Sequence, residues 1–309
     1  MKATPILHGG CAALLLIMLL VAEARSVNET RAQDIRPATE SKEYIYKRTP
    51  QGELKVFVDF PPGWSRADTR PAIVFFHGGG WRAGSPQQFA VQAHYLAGRG
   101  IVALRAEYRL KNPHGVSPDK CVEDAKTAMR WVKAHVAELG IDPNKVISSG
   151  GSAGGHLAAC VATTPGLDAK EDDLSVSAKP CAMVLFNPVL NLVGSERHAD
   201  VVSSREVARA ISPTLNLSQD TPPAIIFYGS EDQFRSMGEE YCTKAKGLGL
   251  RAEMYIAAGQ KHGFFNRPPW RDTTLYETDR FLASLGYLAG EPTLTRPADG
   301  GALKRWAPR

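Results

Sequence analysis

Ser152 lies in a segment whose residue types suit nucleophilic chemistry. Residues 146–155 read Val-Ile-Ser-Ser-Gly-Gly-Ser-Ala-Gly-Gly, so an apolar run leads into Gly150-x-Ser152-x-Gly154 and a helical pattern follows. A serine on a sharp strand-to-helix turn presents its hydroxyl to a cleft, and small neighbours let strand and helix approach. The N terminus of the helix favours the negative charge that develops on an attacked carbonyl oxygen. We therefore predict that Ser152 is a nucleophile.

A glycine loop, His77-Gly-Gly-Gly-Trp81, follows the apolar run Ala72 to Phe76. Glycines in this position leave backbone N–H groups open to a substrate carbonyl. We predict that Gly79, Gly80 and Ala153 donate the N–H groups of an oxyanion hole. A plain glycine turn or a phosphate loop would not explain why the serine turn accompanies it, and neither GK[ST] nor GxGxxG follows.

A serine hydroxyl is a weak nucleophile at neutral pH, so a base and an orienting acid are expected downstream. The apolar run Ala224 to Tyr228 continues into Gly-Ser-Glu-Asp, which places a carboxylate at the carboxyl end of a strand. We predict Asp232 as the acid, with Glu231 as the neighbouring alternative, and exclude Asp220 because it precedes the strand. His262 is the predicted base, since it alone among the eight histidines follows the acid.

The other histidines and acidic residues do not form a recognisable metal motif. The sequence contains no HExxH, no paired histidines and no calcium-type aspartate cluster, so we predict neither a metal nor a cofactor. His77 is expected to brace the glycine loop by hydrogen bonding. His156 lies one turn into the helix that follows the serine.

Aromatic residues flank the predicted reacting groups. We predict that Trp81 and Phe264 contact the substrate, and that Phe265 and Trp270 are further candidates for lining an acyl or aromatic pocket. Packing in the core is the more common role of aromatic side chains and is the alternative for all four.

The spacing of apolar runs predicts an α/β fold with a mostly parallel central sheet and helices on both faces. Six short, non-alternating runs bounded by Gly, Pro or Asn suit strands buried on both faces. These runs are residues 72–76, 101–106, 146–149, 182–186, 224–228 and 252–256. Two antiparallel strands around Pro50-Gln-Gly52 are expected before them.

Helical patterns alternate with these strands. The strongest begins at Ser117-Pro118 and stops at Gly140, with apolar residues at spacings of three and four. Further helices are predicted after Ser152 and over residues 234–247 and 272–285. Residues 190–221 form a longer connection with a short helix near 203–211, placed where it could overhang the site.

The chain ends are predicted to differ from this domain. Lys2, an apolar run of 12 residues from Cys11 to Ala22, and Ala22-Glu-Ala24 are typical of a signal peptide, and a span needs about 20 residues. We predict a signal peptide at 1–24, a flexible arm at 25–43, a catalytic domain at 44–289 and a loosely packed tail at 290–309. The protein is then secreted or periplasmic with no stable membrane span, an uncleaved anchor being the alternative.

Export would leave four cysteines, Cys121, Cys160, Cys181 and Cys242, where disulfides can form. They allow three complete pairings, and buried free thiols are an equal alternative. The net charge of +5 is scattered, with no run of three basic residues, which argues against nucleic-acid binding.

Taken together, the glycine loop, the serine turn, Gly229-Ser-Glu-Asp232 and His262-Gly-Phe264 resemble the α/β hydrolase serine esterases of the hormone-sensitive-lipase-like and acetyl-esterase group. The resemblance spans residues 44–285 and looks nearest to bacterial acetyl xylan or feruloyl esterase-like proteins. Gly151 departs from that group, in which many members carry Asp before the serine. The resemblance implies a small-molecule or carbohydrate-linked ester as substrate.

The predicted function is therefore hydrolysis of carboxylic esters, with acetyl or feruloyl esters of carbohydrates as candidate substrates. A peptidase or amidase with the same triad is one alternative, because the nucleophile and oxyanion hole do not depend on the leaving group. A non-catalytic binding protein with a hydrolase fold is the other.

Overall fold

A nine-stranded sheet organises the domain in the computed structural model, which describes residue 1 and residues 40–195, 198–297 and 303–308. The strands are β1 (Glu40–Thr49), β2 (Gly52–Phe60), β3 (Arg70–Phe76), β4 (Val102–Ala106), β5 (Ile141–Gly151), β6 (Met183–Phe186), β7 (Ala224–Gly229), β8 (Ala252–Ala257) and β9 (Lys304–Trp306). Their order across the sheet is β1-β2-β4-β3-β5-β6-β7-β8-β9. The six strands from β4 to β8 in that order pair in parallel, and β1, β2 and β9 pair antiparallel.

Helices cover both faces of the sheet. They are α1 (Ala90–Gly98), α2 (Lys111–His114), α3 (Pro118–Ala134), α4 (Val136–Leu139), α5 (Ala153–Thr163), α6 (Arg205–Ala210), α7 (Arg235–Gly247) and α8 (Trp270–Ser284). Short 3-10 turns occupy Pro86–Phe89 and Phe264–Asn266.

The core divides between the two faces, and β3 shows why its sequence does not alternate. Ala72, Val74 and Phe76 pack on the face that carries α3, α5 and α7, whereas Ile73 and Phe75 pack on the face that carries α1 and α8. Because both faces are covered, every position from 72 to 76 is buried. The predicted α/β fold with a mostly parallel sheet is thus confirmed.

Two segments differ from the sequence expectation. Strand β1 begins at Glu40, inside the predicted arm, because its backbone pairs with β2 along its whole length. The tail that the sequence predicts to be loosely packed has Leu294 and Leu303 buried, and β9 pairs with the outer edge of β8. Pairing with another strand stabilises an exposed strand edge, and burial stabilises an apolar side chain. These two effects explain the observed packing of both segments.

The predicted signal peptide and most of the predicted arm lie outside the described residues. In the part of the chain that the structure describes, no helix is long and apolar enough to cross a membrane. All four cysteines of the domain are free thiols, and three of them are buried.

Candidate active site

The carboxyl ends of neighbouring parallel strands bring the predicted site residues to one edge of the sheet. Ser152 directly follows β5, Asp232 lies three residues after β7, and His262 lies five residues after β8. The glycine loop directly follows β3, which pairs with β5. Open α/β sheets build their ligand sites at this edge.

The turn at Ser152 is strained, and its glycines permit the strain. Ser152 has φ 54° and ψ −118°, outside the regions that L-residues prefer. A Cβ on Gly154 would lie 2.0 Å from the Phe76 carbonyl oxygen, and one on Gly150 would lie 2.4 Å from the Gly154 oxygen. Only glycine therefore allows α5 to approach the ends of β3 and β5 this closely beneath the serine.

The glycine loop passes against the serine turn. An ideal Cβ on Gly78 would lie 2.9 Å from the Gly151 carbonyl oxygen and 3.4 Å from Ser152 Cβ. His77 braces the loop as predicted: its Nδ1 lies 2.8 Å from the Gly78 oxygen, and its ring stacks on Tyr108 with centroids 4.4 Å apart. Burial lowers the pKa of His77 to about 4, so the ring is neutral at neutral pH and Nδ1–H donates to that carbonyl.

The same bonds orient the predicted oxyanion donors. The Gly78 oxygen is held by His77, and the Gly79 oxygen accepts from the N–H groups of Arg82 and Ala83 at 3.1 and 3.2 Å. Because C=O and N–H point in opposite directions in a trans peptide, the N–H groups of Gly79 and Gly80 are turned away from these contacts. In the described ranges, neither these two nor the Ala153 N–H donates to a protein acceptor.

Ser152, His262 and Asp232 form one hydrogen-bonded chain. His262 Nε2 lies 2.8 Å from Ser152 Oγ, and His262 Nδ1 lies 2.9 Å from Asp232 Oδ2. With the proton on Nδ1 bonded to the carboxylate, Nε2 is free to accept the serine proton. The arrangement has the geometry that general-base activation of a serine requires.

The Asp232 carboxylate is fully buried and fixed from two sides. Its Oδ1 accepts a hydrogen bond of 2.9 Å from the N–H of Phe234, and its Oδ2 faces His262. Helix α7 begins at Arg235, so the positive end of the helix dipole also faces the carboxylate. Glu231, the alternative acid, is exposed, and its backbone N–H bonds to Gln260.

Trp81 does not reach the surface of the site, which corrects its predicted role in substrate binding. Its side chain is fully buried, with its ring edge-on to His156 at 5.0 Å and to His198 at 5.4 Å. Burial lowers the pKa of His156 to about 4, and its Nε2 bonds to the Ile211 oxygen at 2.7 Å. Trp81 therefore serves the core beneath the glycine loop.

Phe264 lies two residues after His262 in the sequence, and its side chain is 8% exposed. Its ring is edge-on to Phe265 and to Trp270, at 6.4 and 5.9 Å. Its contact with a substrate stays a prediction. The neighbouring Phe265 stacks on Phe89 and Phe186 in the core.

Packing explains the glycine before the serine. A Cβ on Gly151 would lie 2.4 Å from Phe265 Cζ and 3.2 Å from Phe89 Cζ. The two phenylalanine rings thus occupy the space that a larger residue would need. An aspartate, which many members of that group carry at this position, would require these rings to move.

Two site residues were missed by the sequence analysis. Asn187 follows β6, has φ 36° and is 1% exposed; its Oδ1 accepts from Gly263 N–H at 3.0 Å, and its Nδ2 lies 3.4 Å from His262 Nε2. Gln88, in the 3-10 turn before α1, accepts from Gly78 N–H at 2.6 Å. A polar residue immediately after a buried strand was an available signal for Asn187, whereas Gln88 lies in a helical region with no clear pattern.

The segment 190–221 contains the predicted short helix as α6. In its described part, Asp200 pairs with Arg82 and Lys111, and the His198 ring lies 5.4 Å from that of Phe234. Phe234 in turn is edge-on to His262 at 5.1 Å. The segment therefore packs beside the acid and the base. Among the described residues, no group of three His, Cys, Asp or Glu is arranged to hold a metal ion.

Comparison with known proteins gives concordant matches. The profile of the BD-FAE family matches residues 60–239, more than half of the chain. Carboxylesterase NlhH from Mycobacterium tuberculosis is 28% identical over 261 residues, covering 75% of this chain and 78% of NlhH. The probable carboxylic ester hydrolase LipM of the same organism is 31% identical, and the match covers 55% of this chain but only 44% of LipM.

Solved structures match over more of the chain. Thermogutta terrifontis esterase 2 phosphonylated by sarin has a TM-score of 0.79 and 40% identity, covering 82% of this chain and 98% of that chain. A propionate-bound structure of the Est2 esterase from that species has a TM-score of 0.77 and 41% identity, covering 84% and 98%.

Proposed function

Because the chain belongs to the BD-FAE family and is a carboxylic ester hydrolase with the α/β hydrolase fold, we propose that it cleaves esters through an acyl-serine intermediate on Ser152. The observation that carries this mechanism is the single hydrogen-bonded chain from Ser152 through His262 to Asp232. Within the described part of the chain, the N–H groups of Gly79, Gly80 and Ala153 have no protein acceptor, and they lie on the two turns that meet at the serine.

In the first half-reaction, His262 Nε2 takes the proton of the serine hydroxyl while Oγ bonds to the ester carbonyl carbon. The carbonyl oxygen becomes an oxyanion, which the N–H groups of Gly79, Gly80 and Ala153 stabilise. The protonated His262 then donates its proton to the alkoxy oxygen, and the C–O bond to the alcohol breaks. Asp232 stabilises the imidazolium through Nδ1.

In the second half-reaction, water attacks the acyl-serine. His262 takes a proton from the water, the same backbone donors hold the new oxyanion, and the proton returns to Ser152 Oγ as the acid leaves. Each step moves one proton between oxygen and Nε2, and none requires a cofactor.

We propose short acyl groups as the substrate class, with acetyl esters of carbohydrates as the natural candidates and the bulkier feruloyl esters as the alternative. Two observations support a short acyl group. The rings of Phe89 and Phe265 fill the space behind Gly151, close to the nucleophile. The structurally similar Est2 esterase was solved bound to propionate and to butyrate. The resemblance to acetyl xylan and feruloyl esterase-like proteins supports the carbohydrate.

Replacing the nucleophile tests the mechanism. Ser152→Ala should lower kcat/KM for p-nitrophenyl acetate by about 10⁴-fold or more, because the chain then lacks the attacking oxygen. A fluorophosphonate probe should label the wild type at Ser152 and leave this variant unlabelled. Ser149→Ala is the matched serine control. The hydroxyl that it removes donates to the Val184 oxygen, and the variant should keep both labelling and rate.

A substrate panel tests the class. Rates should fall as p-nitrophenyl acyl chains lengthen beyond butyrate, and acetylated xylan should be hydrolysed faster than feruloylated sugars or a peptide of similar size. Faster cleavage of the feruloylated sugars would favour a wider acyl pocket. Faster cleavage of long acyl chains would contradict the short acyl pocket. Faster cleavage of the peptide would move the enzyme to the amidase class.

A further inference from the structure

Three side-chain amides link the loop of the oxyanion donors to the loop of the base. They are Gln88, Asn266 and Asn187, which we call the amide bridge. No other part of the mechanism uses them, and they come from three separate elements: the 3-10 turn before α1, the 3-10 turn after His262, and the end of β6.

The first half of the bridge joins the two loops across the site. The Gly78 N–H donates to Gln88 Oε1 at 2.6 Å, and Gln88 Nε2 donates to Asn266 Oδ1 at 3.0 Å. Asn266 Nδ2 then donates to the Gly263 oxygen at 2.9 Å. The residue before Gly263 is the base itself.

The second half runs under the base. The Gly263 N–H donates to Asn187 Oδ1 at 3.0 Å, which leaves Asn187 Nδ2 at 3.4 Å from His262 Nε2. Asn187 is buried, and its backbone N–H bonds to the Phe227 oxygen at 2.7 Å. Its amide therefore stands beside the bond that joins His262 to Ser152.

Backbone groups fix the orientation of all three amides. An N–H can only donate, so Gly78 selects Gln88 Oε1 and Gly263 selects Asn187 Oδ1. A carbonyl can only accept, so the Gly263 oxygen selects Asn266 Nδ2 and turns its Oδ1 towards Gln88. The four hydrogen bonds are mutually consistent, with one donor and one acceptor at each, and they leave an N–H of the Asn187 amide facing His262 Nε2 at 3.4 Å.

We propose that the amide bridge positions the two halves of the catalytic machinery relative to each other, an inference that rests on the proposed function. Gln88 holds the peptide before Gly79 and Gly80, which have positive φ and no side chains of their own to restrain them. Asn187 holds the peptide after His262 and presents an N–H, rather than a negative oxygen, to Nε2. A negative oxygen in that position would hold a proton on Nε2, and His262 could then not take the proton of the serine.

Gln88→Met tests the first half, because methionine keeps the length of the side chain and removes both hydrogen bonds. We expect kcat for p-nitrophenyl acetate to fall about 10-fold with KM within about two-fold, since the lost restraint acts on transition-state geometry. Gln87→Met is the matched control: it makes the same change one residue earlier, where the amide contacts Arg105, and should leave kcat unchanged.

Asn187→Asp tests the second half. The carboxylate keeps the acceptor for Gly263 N–H but places a negative oxygen beside Nε2, which favours the imidazolium. The acid limb of the kcat/KM profile should move about one pH unit higher, and a purely structural role would not move it. Asn216→Asp, where the amide bonds to the Ala210 oxygen, is the control and should keep the wild-type profile.

A double-mutant cycle tests whether the contacts act as one unit. If they do, Gln88→Met combined with Asn266→Ala should reduce kcat little more than Gln88→Met alone. Multiplicative losses together with an unshifted profile in Asn187→Asp would overturn the bridge. If the wild type reacts with the fluorophosphonate and Gln88→Met reacts equally fast, the bridge alone fails; if the wild type does not react, the proposed function fails.

Discussion

The two sides of the active site are held in place by different forces. On the nucleophile side, the glycine loop and the serine turn are fixed by close backbone packing: a Cβ would lie 1.8 Å from a backbone oxygen at Gly79 and 2.0 Å from one at Gly154. On the acid–base side, Asp232 and His262 are fixed mainly by hydrogen bonds of about 2.9 Å. A Cβ on Gly229 would lie 2.1 Å from the Gln260 oxygen, which is a comparable backbone approach on this side.

Because of this difference, we expect substitutions on one side to change mainly the stability of the fold and substitutions on the other to change mainly the reaction rate. Steric fit cannot be relaxed without moving the strand or helix that makes it, so substitutions on the nucleophile side should cost folding free energy. A hydrogen bond can be exchanged at nearly constant shape, so substitutions on the acid–base side should change the reaction while the fold persists. Three measurements test this contrast.

Asp232→Asn should show the largest effect and leave stability unchanged. Both carboxylate oxygens face donors, so the new NH₂ group must turn to His262 and force the tautomer that carries its proton on Nε2. That tautomer cannot take the serine proton, and kcat should fall about 10⁴-fold.

Ester hydrolysis assays and thermal unfolding measure the two quantities separately. Glu231→Gln, the same chemical change at the exposed neighbour, is the control and should retain wild-type kcat. If Asp232→Asn lowered the free energy of unfolding by as much as it raised the activation free energy, the two sides would not differ in the way described.

Gly154→Ala should destabilise the fold by at least about 4 kcal/mol, because its methyl group would overlap the Phe76 and His77 carbonyl oxygens. Gly247→Ala is the matched control. Among the described residues, a Cβ at this position would meet no atom within 4 Å apart from its own helix backbone and chain neighbours. Alanine also favours the helical backbone, so the stability should change by no more than about 1 kcal/mol. Urea unfolding of both variants gives the comparison, and equal stabilities would refute the steric account.

Acid should weaken the nucleophile side through its buried histidines. Burial lowers the pKa of both His77 and His156 to about 4, below the unfolded value of about 6.5. Between these values the unfolded chain binds more protons, so stability is complete above pH 6.5 and is lost as the pH falls towards 4. The loss is about 3 kcal/mol for each histidine.

Urea unfolding at a series of pH values measures this loss. His156→Gln should roughly halve the slope of stability against pH, because only His77 then contributes. An unchanged slope would show that His156 does not contribute to the acid sensitivity.

The sequence predicted the elements that carry a strong pattern. Apolar runs located the six parallel strands, and Gly150-x-Ser152-x-Gly154 located the serine turn, because burial on both faces and close packing restrict residue types locally. The acid and base followed from their positions after strands. Each of these patterns involves residues that are close together in the sequence.

What the sequence did not predict depends on contacts between distant residues. A tryptophan beside a glycine loop could line a pocket or pack in the core. The contacts of Trp81 with the rings of His156 and His198 show that it packs in the core. In the sequence, Asn187 and Gln88 cannot be told from other polar residues. Their roles depend on hydrogen bonds from the distant N–H groups of Gly263 and Gly78. The three-residue strand β9 has no apolar pattern and exists because β8 offers an edge.

The wide separation of the reacting groups along the chain has a consequence for folding kinetics. Ser152 and His262 are 110 residues apart, and the acid lies 30 residues before the base. Contacts this remote carry a large loop-closure entropy and form only after the strands between them have paired. During refolding, ester hydrolysis should therefore return later than the helical circular dichroism signal, because activity requires that the strands of the sheet have already paired.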